Sequence, residues 1–205
     1  MHEELIIYAG NKINAKKALI MLHGRGANAE DILSLAENLD VTEYLLAAPQ
    51  ASGNSWYPNS FLALPRNNEP WLSSALDLVH SVVGGFIKQG IKKEKIYFLG
   101  FSQGACLTLE YTARNAEHYG GIVAFTGGLI GDKIYKENYK GDFSNTPVFI
   151  GTSNPDFHVP VERVRESANI LRNMGADITE RIYPNMGHTI NQDEINHVNR
   201  LIFKP

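Results

Sequence analysis

Seven short apolar segments recur along the chain, and each has the length of a β-strand. Several are continuous runs of aliphatic and aromatic residues, a pattern typical of strands buried on both faces of a sheet. The predicted strands cover residues 5–8, 18–22, 44–48, 96–99, 121–125, 148–150 and 178–183.

Between these segments, apolar residues recur with the period of an α-helix over much of the chain. Apolar residues at three- and four-residue spacing predict a helix with one apolar face formed by Leu72, Ala75, Leu76, Val79, Val83, Phe86 and Ile87. Gly90 follows where a helix C-terminus would be capped. Three further helices are predicted over residues 103–118, 161–174 and 193–203, the second of them starting after Pro160.

Strands that alternate with helices predict an α/β fold: a mostly parallel central sheet with helices on both faces. We expect a single domain over residues 1–205, because we find no repeat, low-complexity tract or linker. Ligands of such folds bind beyond the carboxyl ends of the strands. Two longer irregular stretches, residues 50–70 and 127–145, are candidates to border a site there, and neither is long enough to form a second domain.

The charge and the cysteine content of the chain exclude some classes of function. The 205 residues carry a net charge of −3 without a basic cluster, so we expect no nucleic-acid partner. The one cysteine, Cys106, excludes an intrachain disulfide and is interpreted as a small core residue. Residues 1–4 are acidic and do not resemble a signal peptide, and no apolar run approaches the roughly 20 residues of a membrane span. We expect a cytoplasmic protein without integral membrane association.

The strand at residues 96–99 leads directly into Gly100-Phe101-Ser102-Gln103-Gly104 and then into a predicted helix. A serine at such a sharp strand-to-helix turn is held in a strained conformation with its hydroxyl exposed. It also lies at a helix N-terminus, where free N–H groups favour negative charge. The motif therefore predicts that Ser102 is a nucleophile.

A serine nucleophile needs a histidine base and a carboxylate that orients the histidine. In this type of fold the order along the chain is serine, acid, histidine. His188 lies in the tight loop after the last predicted strand and is the predicted base, ahead of the helix-associated His118 and His197. Asp156 lies in the loop after residues 148–150 and is the predicted acid. Its competitors Asp132 and Asp142 both precede that strand.

His158, two residues after Asp156, raises the alternative of a metal site. No further ligands appear at a matching spacing, so we expect no metal.

Acyl transfer also needs donors for an oxyanion. The backbone N–H of Gln103, which follows the nucleophile, is one predicted donor. The second is the N–H of Arg25 in Leu22-His23-Gly24-Arg25-Gly26, where an early strand ends. We interpret His23 as a structural residue of this loop. The side chain of Arg25 is either a contact for an anionic substrate group or a surface arginine.

The acyl group needs an apolar wall. The loop at residues 50–70 offers candidate substrate contacts in Trp56, Tyr57, Phe61 and Leu62. Packing of these four side chains against the sheet is the equally weighted alternative.

These motifs together, in this order and along nearly the whole chain, resemble the phospholipase/carboxylesterase group of α/β-hydrolases, which includes the acyl-protein thioesterases. They are the segments 22–26, 100–104 and 156–160 and the pair Gly187-His188. The resemblance is stronger to small bacterial carboxylesterases of the group. It implies an α/β-hydrolase fold without a large cap domain and without a cofactor.

The implied activity is hydrolysis of small-molecule or acyl-chain carboxylic esters, with thioesters as a second class, through Ser102, His188 and Asp156. The alternatives are a non-catalytic ligand-binding α/β-hydrolase and a peptidase or amidase on the same fold. A homodimer stays open.

Overall fold

The computed structural model describes residues 1–13 and 15–203, so residues 14, 204 and 205 of the predicted domain lie outside it. The described residues form seven strands and five α-helices. The strands are β1 Ile6–Gly10, β2 Lys17–Leu22, β3 Tyr44–Pro49, β4 Ile96–Phe101, β5 Gly121–Phe125, β6 Pro147–Asn154 and β7 Asp177–Pro184. The helices are α1 Ala29–Ser34, α2 Trp71–Lys88, α3 Gln103–Arg114, α4 Val161–Asn173 and α5 Gln192–Leu201.

The strands form one sheet in the order β1-β3-β2-β4-β5-β6-β7. All neighbouring pairs are parallel except β1 and β3, which are antiparallel. The central strands β2, β3, β4 and β5 are almost wholly buried, whereas the edge strands β1 and β7 are half-exposed. This is the predicted α/β-hydrolase fold, and it explains why the central strands are continuous apolar runs.

Alternate side chains of each strand supply two cores. On β2, Ile20 and Leu22 point to the core beneath α2, α3 and α4, and Leu19 and Met21 point to the core beneath α1 and α5. The strand period of two therefore divides one apolar run between both faces of the sheet. The connections at residues 50–70 and 126–146 contain only short 3₁₀ turns and no inserted helical domain.

The structure corrects three details of the predicted helices. The helix predicted to reach residue 118 ends at Arg114, because Ala116 leaves it to pair with the segment around Gly141. On α2, Ile87 is 41% exposed and lies off the apolar face. The short helix α1 was not predicted. Its capping box, in which Asn28 and Asp31 bond each other's backbone N–H groups, is the sequence signal that marks it.

Within the described ranges, none of the helices is long and apolar enough to cross a membrane.

Candidate active site

Ser102 occupies the turn between β4 and α3 with φ 54° and ψ −118°. A non-glycine residue in this region costs about 1–3 kcal/mol, so the surrounding structure must hold it. The neighbouring glycines permit the turn. A Cβ at Gly100 would collide with the backbone of Gly104, and a Cβ at Gly104 would collide with the backbone of Leu22. The spacing of the motif thus follows from the close approach of strand, turn and helix.

His188 lies in the loop after β7 and reaches the serine. Its Nε2 is 2.8 Å from Ser102 Oγ. The loop is anchored to the end of β6, because the N–H of Gly187 donates to Ser153 Oγ at 3.0 Å. The Phe101 ring packs against the imidazole with a centroid distance of 5.3 Å. The neighbouring strands β6 and β7 therefore position the histidine.

Asp156, in the loop after β6, completes the chain of contacts. Its Oδ2 is 2.8 Å from His188 Nδ1, and its Oδ1 accepts the backbone N–H groups of His158 and Val159, each at 2.8 Å. The carboxylate side chain is fully buried. Burial by itself raises the pKa of the Asp156 carboxyl. The hydrogen bonds from His188, His158 and Val159 outweigh that effect and hold the pKa below its ordinary value.

An ionised Asp156 determines the tautomer of the histidine. A carboxylate only accepts hydrogen bonds, so His188 Nδ1 carries the proton and donates it to Oδ2. The Nε2 lone pair then faces the Ser102 hydroxyl. This arrangement can take the hydroxyl proton while the developing imidazolium stays paired with a buried negative charge.

The competing candidates for base and acid make other contacts. Asp132 accepts a hydrogen bond from the Tyr135 hydroxyl, and Asp142 binds Ser144. His118 is hydrogen-bonded to the Ser144 carbonyl. None of the three contacts Ser102 in the part of the chain that the structure describes.

The two predicted oxyanion donors flank the serine. Gly24 lies against Ser102, since a Cβ on it would stand 3.5 Å from the serine Cβ, and Arg25 follows directly. Gln103 begins α3. Neither the Arg25 N–H nor the Gln103 N–H donates a hydrogen bond to residues 1–13 or 15–203. Both N–H groups are therefore available to a ligand, and their role as oxyanion donors stays a prediction.

The side chains of the same two residues hold the loop at residues 55–59. Sequence analysis did not predict these contacts. The Gln103 amide accepts from Trp56 N–H at 2.9 Å and donates to the Tyr57 carbonyl at 2.8 Å. The Arg25 guanidinium donates to the hydroxyl of Ser55 and to three loop carbonyls, at 2.6–3.0 Å: Tyr57, Pro58 and Asn59. The Arg25 side chain is thus engaged by the protein's own loop.

A cavity of about 390 Å³ opens at Ser102. It is lined by Arg25, Tyr57, Pro58, Asn59, Ser60, Phe61, Ser102, Gln103, Cys106, His158, Val159 and His188. The structure places two of the four predicted substrate contacts, Tyr57 and Phe61, in this wall. Their part in binding substrate stays a prediction.

Trp56 and Leu62 are not among the residues of the cavity wall, and both pack against the apolar core, which is the alternative that the sequence left open. Trp56 is fully buried, and its indole Nε1 donates to the His23 carbonyl at 2.8 Å. His23 in turn accepts the Ala51 N–H on Nε2 at 3.1 Å. Burial lowers the pKa of the His23 imidazole. These contacts fit the structural interpretation of His23.

Six of the twelve wall residues were not predicted as site residues: Pro58, Asn59, Ser60, Cys106, His158 and Val159. Cys106 is buried yet forms part of the wall, because a residue four positions after Ser102 lies on the same face of α3. His158 is exposed at the cavity. Its place two residues after the predicted acid was a signal that sequence analysis considered only for a metal. Among the described residues, no three His, Cys, Asp or Glu side chains lie together as a metal site would require.

Comparisons with known proteins identify the family of the chain. A family model described as phospholipase/carboxylesterase matches residues 3–204. The crystal structure of a phospholipase/carboxylesterase from Dyadobacter fermentans DSM 18053 is 57% identical, with a TM-score of 0.98 over 99% of this chain and 98% of that one.

More distant relatives come from eukaryotes. An Arabidopsis thaliana probable carboxylesterase, SOBER1-like, is 25% identical over 90% of this chain and 77% of its own. An acyl-protein thioesterase 1 from Gibberella zeae is 32% identical over 61% of this chain, and the match spans about half (54%) of that relative. The chain therefore belongs to the phospholipase/carboxylesterase family and is, at the level of that family, an esterase-type hydrolase.

Proposed function

We propose that the protein hydrolyses carboxylic esters with Ser102 as nucleophile, His188 as general base and Asp156 as the orienting acid. The observation that carries this proposal is the continuous chain of contacts, Ser102 Oγ to His188 Nε2 at 2.8 Å and His188 Nδ1 to Asp156 Oδ2 at 2.8 Å. The chain ends at a cavity that can admit a substrate carbonyl.

In the proposed reaction, His188 Nε2 takes the Ser102 proton as Oγ attacks the ester carbonyl carbon. The N–H groups of Arg25 and Gln103 bind the oxyanion of the tetrahedral intermediate. The protonated His188 then gives its proton to the departing oxygen, which leaves as the alcohol, and an acyl group remains on Ser102. A water molecule, deprotonated by His188, releases the carboxylic acid by the same steps. Each step uses a group of the protein and requires no cofactor.

The size and lining of the cavity support small-molecule esters as substrates. A volume of about 390 Å³ is near the lower end of ligand pockets, which range over about 300–1,000 Å³. Tyr57, Phe61 and Val159 offer an apolar surface to an acyl group. Thioesters would pass through the same acyl-enzyme, and the name of the Gibberella zeae relative supports them as a second substrate class.

Covalent labelling and ester hydrolysis test the proposal together. A fluorophosphonate probe should label the wild-type protein, and a panel of p-nitrophenyl esters of rising chain length should be hydrolysed. Ser102→Ala should abolish labelling and lower kcat by a factor on the order of 10⁶, with the fold retained. Ser81→Ala, at an exposed serine on α2, is the matched control and should behave as wild type.

Three outcomes would contradict the proposal. A folded Ser102→Ala variant that keeps most activity removes Ser102 as nucleophile. A wild-type protein that binds esters without labelling or turnover would be a non-catalytic ligand-binding protein. Cleavage of p-nitroanilides as fast as esters with the same acyl group would instead favour a peptidase or amidase.

A further inference from the structure

A second histidine borders the cavity and has no part in the proposed reaction. His158 is exposed, and its ring lies 4.9 Å from the His188 ring, centroid to centroid, at an interplanar angle of 69°. Its backbone N–H donates to Asp156 Oδ1. The same carboxylate therefore holds the backbone of His158 and the side chain of His188 next to each other.

The His158 imidazole is free to bind a ligand. Neither ring nitrogen makes a hydrogen bond to residues 1–13 or 15–203. Most other polar side chains of the wall are hydrogen-bonded within the protein, and the Tyr57 hydroxyl, which has no partner among the described residues, is buried from solvent. Arg25 and Gln103 hold the loop at residues 55–59. Asn59 Nδ2 donates to a backbone carbonyl at 2.6 Å, and Ser60 Oγ accepts a backbone N–H at 3.1 Å. An imidazole carries at least one N–H donor in any protonation state.

The position of His158 identifies which part of a substrate it would meet. His188 must protonate the departing oxygen, so the leaving group has to lie beside His188 Nε2. Because the His158 ring contacts the His188 ring, His158 borders this leaving-group side. Tyr57 and Phe61 belong to a different loop, residues 50–70, and offer an apolar wall to the acyl group.

Building on the proposed function, we propose that His158 determines specificity by donating a hydrogen bond from its imidazole N–H to an acceptor oxygen in the leaving group. The preferred substrates are then esters of alcohols that carry an ether, hydroxyl or carboxylate oxygen a few bonds from the ester oxygen. Esters of plain alkyl alcohols leave the His158 donor without a partner and react less well.

Two acetate esters of equal size test this directly. Methoxyethyl acetate and n-butyl acetate differ by one ether oxygen in place of a methylene in the leaving group. We expect His158→Leu to lower the ratio of their kcat/KM values, methoxyethyl over butyl, by about fivefold to tenfold, the effect of one neutral hydrogen bond. Comparing variant with wild type cancels the difference in chemical reactivity between the esters. A loss of ring packing alone would slow both esters equally and leave the ratio unchanged.

The controls separate the side chain from the loop and the leaving group from the acyl group. Phe157→Leu changes the neighbouring residue, which is 96% exposed and outside the cavity wall, and should leave the ratio unchanged. An equal effect of Phe157→Leu would overturn the assignment to His158. The acyl-side pair, methyl methoxyacetate and methyl butanoate, should show no dependence on His158. A dependence confined to that pair would refute leaving-group recognition.

The failure of this inference can be told from the failure of the proposed function. An active wild-type protein whose ratio is unaffected by His158→Leu overturns the inference alone. A wild-type protein that hydrolyses neither acetate and takes up no fluorophosphonate overturns both.

Discussion

Replacing Asp156 by asparagine should inactivate the protein without changing its fold, because the ring proton of His188 would move from Nδ1 to Nε2. Asp156 Oδ1 accepts two backbone N–H groups, and Oδ2 accepts from His188 Nδ1. An asparagine oxygen must stay at the Oδ1 position, because the opposite orientation would leave two N–H donors unpaired, at about 1–3 kcal/mol each. The asparagine NH₂ group then faces His188 Nδ1.

That orientation forces the wrong tautomer. An NH₂ group donates, so His188 Nδ1 must accept and the ring proton moves to Nε2, which then donates to Ser102 Oγ instead of accepting its proton. In serine hydrolases generally this change lowers kcat by about 10⁴, or about 5 kcal/mol of activation free energy. We expect the same loss here with little change in KM, because Asp156 is not in the cavity wall.

The assay is steady-state hydrolysis of a short p-nitrophenyl ester, with thermal unfolding to confirm the fold. Asp132→Asn and Asp142→Asn are the matched controls, since both were candidates for the acid and both bind elsewhere. They should keep kcat within about twofold of wild type, as surface substitutions remote from the reacting atoms. A folded Asp156→Asn variant that loses less than tenfold would refute the reasoning about the tautomer.

Two further predictions concern stability. Burial raises the pKa of Glu194 from its ordinary 4.5 to about 7, so the native state binds this proton more tightly than the unfolded chain does. The free energy of unfolding should therefore fall by about 3 kcal/mol as the pH rises from about 4.5 to 7. Glu194→Gln should remove that part of the slope in denaturant titrations at pH 5 and pH 8, and an unchanged slope would contradict the assignment. Arg25→Lys keeps the charge but cannot span the four loop acceptors. It should cost about 1–2 kcal/mol of stability and raise KM for esters, whereas an unchanged Tm and KM would show that the loop at residues 55–59 is held by other contacts.

Most of the fold could be read from the sequence because its signals are local. All seven strands were predicted, since a strand buried on both faces must be a continuous apolar run. Their ends were underestimated. Strand β6 continues through Thr152 and Ser153, where it pairs with β7. These residues are polar, so the apolar pattern in the sequence did not mark them as part of the strand. Gln103–Arg114 is shorter than predicted because a distant segment competes for the chain at Ala116.

Part of the candidate site, too, could be predicted from local sequence, and part of it depends on the tertiary structure. The turn around Ser102 is formed by adjacent residues, so the sequence by itself identified the proposed nucleophile. It also ranked the candidates for acid and base. Whether Asp156 and His188 meet the serine depends on the adjacency of β4, β5, β6 and β7, which residues far apart in the chain create. Only the tertiary structure decided the rest. Trp56 turned inward to the His23 carbonyl, whereas Tyr57, Cys106 and His158 reached the cavity. An apolar or polar side chain shows its type in the sequence, but the packing of loops from different strands determines which surface it faces.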